Sequence, residues 1–163
     1  VRGRYDGKLI GRRGGRRFDY LTLAVDPESE LAMQHNRYPV TEIGIANLMR
    51  RLREVGAQEL QYDEFEVEYF TGARVEGRPC TLIQVTHPVA RDHFRYHVAR
   101  IFIDDQWQLP IRYASYDWPP EADQDPPLLE EYTYLDLEFN VGFSDWDFDH
   151  RNEAYGFRKD FEP

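Results

Sequence analysis

The sequence predicts an α+β fold in which a curved antiparallel sheet, a half-barrel, packs on one main amphipathic helix. Three observations predict it. Apolar residues recur at a period of 3.6 in a single stretch, the period changes to 2 from Glu64 onward, and the later apolar runs are joined by short turns. The 163 residues suit one domain, 1–163, long enough to bury a core. With 41% hydrophobic and 31% charged residues, the composition is that of a globular chain rather than a disordered one.

Residues 1–25 read as two short strands joined by Gly11-Arg12-Arg13-Gly14-Gly15, with residues 18–23 carrying the β-prone content. Asp26-Pro27 stops the second strand. A connection over 26–40 leads to the helix, expected over 41–55. There Ile45, Leu48, Met49, Leu52 and Val55 share one face, while Asn47, Arg50, Arg51 and Arg53 take the other. Thr41 is the expected N-cap and Gly56 the expected C-terminal glycine.

Phe65, Val67 and Tyr69 then alternate with Glu64, Glu66 and Glu68. Val75-Glu76-Gly77-Arg78 is a tight turn leading into a strand over 80–86. Further strands are expected over 96–103, 109–116 and 128–141, the last being the longest. A proline-rich loop precedes it, from Trp118-Pro119-Pro120 to Pro126-Pro127. Sequential strands with short turns imply an antiparallel meander, because parallel neighbours need long crossovers. Such a sheet leaves an apolar concavity beside the helix, a common place for a ligand.

The formal net charge is -10, unevenly spread: residues 1–17 hold seven basic residues against one acid. The acidic remainder argues against phosphate-backbone binding, so no nucleic-acid partner is expected. The basic start reads as a solvated hairpin. Cys80 is the only cysteine, which excludes an intrachain disulfide and any multi-cysteine metal site. No run of eighteen apolar residues exists, so no membrane-spanning helix is expected.

Residue constellations give no catalytic or cofactor motif. His93 and His97 have a zinc-like spacing, but no third ligand sits at a recognisable distance, so they read as solvent-facing or strand-edge histidines. Asp145-Trp146-Asp147-Phe148-Asp149 resembles the start of a calcium loop. His150 stands where that loop needs glycine, and Gly156 where it needs the bidentate acid. The expected reading is a turn with Trp146 and Phe148 inward and the acids wet. Cys80 and His87 are seven apart and face opposite sides of an unbroken strand. There is no GxGxxG, P-loop or G-x-S-x-G. No cofactor or metal is expected.

Several segments resemble a family of uncharacterised proteins, a domain of unknown function, common in planctomycete bacteria. They include Arg37-Tyr38-Pro39-Val40-Thr41-Glu42-Ile43-Gly44-Ile45, Cys80-Thr81-Leu82-Ile83-Gln84-Val85-Thr86-His87-Pro88 and His97-Val98-Ala99-Arg100-Ile101-Phe102-Ile103-Asp104-Asp105. Asn140-Val141-Gly142-Phe143-Ser144-Asp145 and Tyr155-Gly156-Phe157 continue the match in order. That family brings no catalytic residues. It is similar in layout to LolA-like and RseB-like envelope proteins, whose curved sheets close over helices around an apolar cavity. The resemblance implies export to the periplasm or cell envelope, and a chain lacking an N-terminal helix and first strands.

The expected function is therefore non-enzymatic: a groove between sheet and helix holding a lipid, a lipoprotein or another apolar ligand. Its expected lining is one alternation face: Ile83, Val85, Ile101, Ile103, Leu135, Leu137 and Phe139. Each could equally pack on Leu48 and Leu52 as ordinary core. The alternatives are a protein-interaction module using its sheet edge or acidic face, and a hydrolase with an unrecognised site around Cys80 and His97.

Overall fold

The computed structural model describes residues 7–12, 22–121 and 123–157. The chain forms two compact units, one from residues 1–43 with 138–163 and one from residues 44–137.

In the first unit, β1 (Leu9–Arg12) pairs antiparallel with β2 (Thr22–Val25), with Leu9 opposite Val25. Gly11 and Arg12 belong to β1 rather than to the expected turn. The rest of that turn, and most of the strand expected over 18–23, lie outside the described residues. Asp26 ends β2 as expected: its carboxylate accepts the Glu28 N–H at 3.0 Å and meets Lys8 at 3.2 Å. Ser29 then caps α1 (Glu30–Met33), its hydroxyl accepting the Ala32 N–H.

The acidic motif departs from expectation in Trp146, Phe148 and Asp149, while Asp145 is exposed as expected. Asp145–Phe148 is a 3₁₀ turn in which Trp146 and Phe148 are exposed and Asp149 is buried. Two of the acids have partners close by in the chain. Asp147 takes the Ser144 N–H and hydroxyl, and Asp149 takes the Arg151 guanidinium and backbone N–H.

The second unit is built on α2 (Ile45–Glu59). It starts four residues later than predicted, because Thr41 lies in a 3₁₀ turn, Val40–Glu42, and Gly44 at φ +108 makes the entry. That backbone angle favours glycine. The helix runs through Gly56 to Glu59, since Ala57, Gln58 and Glu59 are good helix formers. Leu48 is buried as predicted, whereas Met49 is exposed.

Five strands follow: β3 (Glu66–Val75), β4 (Arg78–Thr86), β5 (Val98–Asp104), β6 (Pro110–Tyr116) and β7 (Leu128–Thr133). They form an open antiparallel sheet in chain order, with β3 and β7 at its edges. The meander is the one predicted. β3 is the longest strand, however, and β7 stops at Thr133, so Leu135, Leu137 and Phe139 lie beyond the ladder.

The register fixes which side chains share a face. Tyr69, Ile83, Ile101, Tyr113 and Tyr132 stand opposite one another across all five strands. The neighbouring row is Val67, Val85, Ala99, Ser115 and Glu130. On this face Leu48, Tyr96, Ala99 and Tyr113 form a buried core, with Leu52, Val55, Val85, Ile101 and Tyr132 packed around it. Leu48→Ala should cost about 2–5 kcal/mol, as for other well-packed core leucines.

A second core holds Val75, Cys80 and Ile111 against Phe102, Trp107 and Leu137. Beside it the Arg78 guanidinium bonds the buried Asp104 carboxylate at 2.5 Å and lies 3.5 Å from the centre of the Trp107 ring. Asp104 also accepts the Gln106 and Trp107 N–H groups.

Candidate functional site

The helix covers only part of the sheet face it packs on. Of the row through Ile101, the residues Ile101, Tyr113 and Tyr132 pack with the helix, while Tyr69 on β3 is 68% exposed. Val67, at the β3 end of the neighbouring row, is 41% exposed. An apolar strip therefore runs out from under α2 toward β3.

The residues expected to line a groove divide accordingly. Val85 and Ile101 pack in the helix-side core. Ile83 and Ile103 lie on the same face by register and are half-buried. Leu137 packs in the second core instead, and Leu135 and Phe139 are exposed. The strip also includes Val67 and Tyr69, which alternation alone could have found. Only pairing with β4 reveals that they stand opposite Val85 and Ile83.

At the far end of this face a polar cluster is buried. Glu59, on the last turn of α2, accepts the Tyr96 hydroxyl at Oε2, 2.7 Å away. His87 extends the β4 alternation beyond Val85; its N–H donates to the His97 carbonyl, and its ring is fully buried. The ring stacks on Phe94 with centroids 3.9 Å apart. His87 Nδ1 is 2.9 Å from the Tyr96 carbonyl, which can only accept, so Nδ1 carries a hydrogen. His87 Nε2 has no hydrogen-bond partner and lies 3.6 Å from Glu59 Oε2. Burial, and then the bond to Glu59, push the Tyr96 phenol far above the ordinary tyrosine range. It therefore remains a donor.

In front of Glu59 lies a cleft of about 220 Å³, lined by Val55, Gln58, Glu59, Gln61, Tyr62, His93 and Arg95. Tyr62 and His93 stack at 3.8 Å and form a flat wall. The two histidines of the zinc-like spacing thus have different roles. His93 faces the cleft, whereas the His97 ring is bonded through Nδ1 to the His87 carbonyl.

Among the described residues no group of three or more His, Cys, Asp or Glu is placed to hold a metal ion. Cys80 is fully buried, with its thiol donating to the Arg78 carbonyl. Burial raises its pKa, which makes it a poor nucleophile.

The second unit is thus an open-sheet α+β unit with a partly bared apolar face and a buried carboxylate at its end. The chain belongs to the family described as "Protein of unknown function (DUF1571)", which it matches over residues 1–157. No curated protein and no solved structure matches it. Among the described residues no helix is long and apolar enough to cross a membrane.

Proposed function

We propose that this domain binds an apolar ligand, a lipid or the acyl chains of a lipoprotein, along the strip that α2 leaves bare. The observation that carries the reading is the position of Tyr69. It shares a row with the buried Ile101 and Tyr113, yet it is mostly exposed. Val67, Tyr69, Ile83 and Ile103 form the lining, with Val85 and Ile101 as the floor beside them. Contiguous exposed apolar surface beside a packed core is where such ligands are held. The resemblance of the planctomycete-type segments to LolA-like and RseB-like layouts supports the same reading, and with it a place in the cell envelope.

The test is uptake of a fluorescent fatty acid by the purified protein, together with mass spectrometry of its organic extract. Tyr69→Lys should weaken uptake while changing stability by no more than about 0.5 kcal/mol, as at other exposed positions. No co-purifying lipid and no uptake by the unmodified protein would remove the idea.

A second reading, a protein-interaction module, is favoured by β3, a ten-residue strand on the sheet edge. Edge strands recruit partners by adding a strand. A pull-down that recovers one stoichiometric protein, with no extracted lipid, would favour it.

A further inference from the structure

We infer that the cleft at the end of α2 binds a small zwitterion bearing both an N–H ammonium group and a carboxylate, an α-amino acid being the simplest member. The inference does not depend on the apolar-ligand reading, since it concerns a different, polar surface.

The argument begins with Glu59. Its residue is 8% exposed, and Oε2 is taken by the Tyr96 hydroxyl. Oε1 accepts no hydrogen bond from the described residues and is not closed off from solvent, and Glu59 lines the cleft. A carboxylate oxygen left open at a cleft, on a side chain otherwise buried, is matched best by a charged donor. The protein supplies none directly. On the buried side His87 Nε2 is unpartnered and sits 3.6 Å from the oxygen already in use. An ammonium group entering from the cleft would donate to Oε1.

A simple cation does not suit the rest of the lining. Arg95 borders the same cleft and makes no ion pair among the described residues. It would repel a bare amine and would hold a carboxylate. The ligand must therefore bring both signs of charge. Gln58 and Gln61 offer neutral donors and acceptors beside it, and the stacked Tyr62 and His93 rings give a flat wall for a short carbon chain. The volume, about 220 Å³, sets the size. It falls below the ~300–1,000 Å³ of sites for drug-sized molecules.

The experiment is a titration of the isotopically labelled protein with L-alanine, followed through the backbone amide signals of Gln58, Gln61, Tyr62 and Arg95. L-alanine should shift these signals in a saturable way. L-alaninamide, without the carboxylate, and N-acetyl-L-alanine, without the ammonium, should not. Glu59→Gln keeps a carbonyl for the Tyr96 hydroxyl and should weaken binding by about tenfold or more, the loss expected for a charge-assisted hydrogen bond. Should that variant fail to fold, Arg95→Gln alters an exposed side chain and should weaken L-alanine to a similar degree. Absent shifts with L-alanine would overturn the inference. So would equal shifts with N-acetyl-L-alanine, or undiminished binding by the Arg95→Gln protein.

Discussion

The Tyr96 hydroxyl donates to Glu59 Oε2 at 2.7 Å, fastening the last turn of α2 to the chain just before β5. Both residues are buried. Tyr96→Phe removes the donor and keeps the ring, so it isolates the bond. The variant should lose about 1–3 kcal/mol, the range for leaving a buried acceptor short of a partner. Urea unfolding would measure it, and a change near zero would show the bond to be incidental. Because the phenol is held far above its ordinary range, alkaline titration of tyrosine absorbance in the folded protein should be the same with and without Tyr96.

Asp104 should contribute to stability on the acid side. The Arg78 guanidinium first, and the Trp107 and Gln106 N–H groups next, lower its pKa below the ordinary 3.8. A carboxylate whose folded value is depressed stabilises the fold above its unfolded value of ~3.9. That contribution disappears as pH falls through the lower, folded value. Unfolding midpoints measured between about pH 5 and pH 2 should therefore drop steeply for the native chain. Asp104→Asn should start less stable at neutral pH and show a shallower acid slope. An unchanged slope would assign acid sensitivity elsewhere, for instance to Asp149, which Arg151 also lowers.

Cys80 should resist modification until the fold opens. Its thiol is fully buried, bonded to the Arg78 carbonyl and raised in pKa by burial. Labelling by a thiol reagent along a urea series should track unfolding measured by circular dichroism. Rapid labelling in the absence of denaturant would contradict this packing.

Two glycines should respond to alanine with opposite signs. Gly77 has φ +81 in the two-residue turn between β3 and β4, where Glu76 also has positive φ. Gly77→Ala should cost about 1–2 kcal/mol, the penalty for a left-handed L-residue. Gly56 lies inside α2, with open space where a Cβ would stand. Gly56→Ala should add about 0.5–1 kcal/mol through helix propensity. Thermal unfolding of the pair would reveal any shared sign.

The sheet was legible because its signals are local. Alternation at Val67 and Tyr69, the Glu76-Gly77 turn and the short links determine strand identity and order without distant partners. Helix ends were less legible. Gly56 looks like a terminator, yet Glu59 beyond it is held by Tyr96, 37 residues away. The later part of the predicted 128–141 strand failed for a related reason. Leu137 differs in parity from Tyr132, which faces the helix, and beyond the ladder it joins the second core. The polar cluster was invisible in sequence. His87 and Glu59 are unremarkable in their own segments and acquire meaning only when α2 is laid against the end of β4.

The long outer strand β3 has one further property. Between Phe70 and Ala73 its register against β4 slips, with Gly72 at φ +80. A straight, unbroken rim of this length would offer itself to identical chains and seed fibrils. The slip divides that rim into two shorter runs that bend differently, and Glu66 and Glu68 add charge repulsion between like copies. The kink thus guards the molecule against stacking on itself.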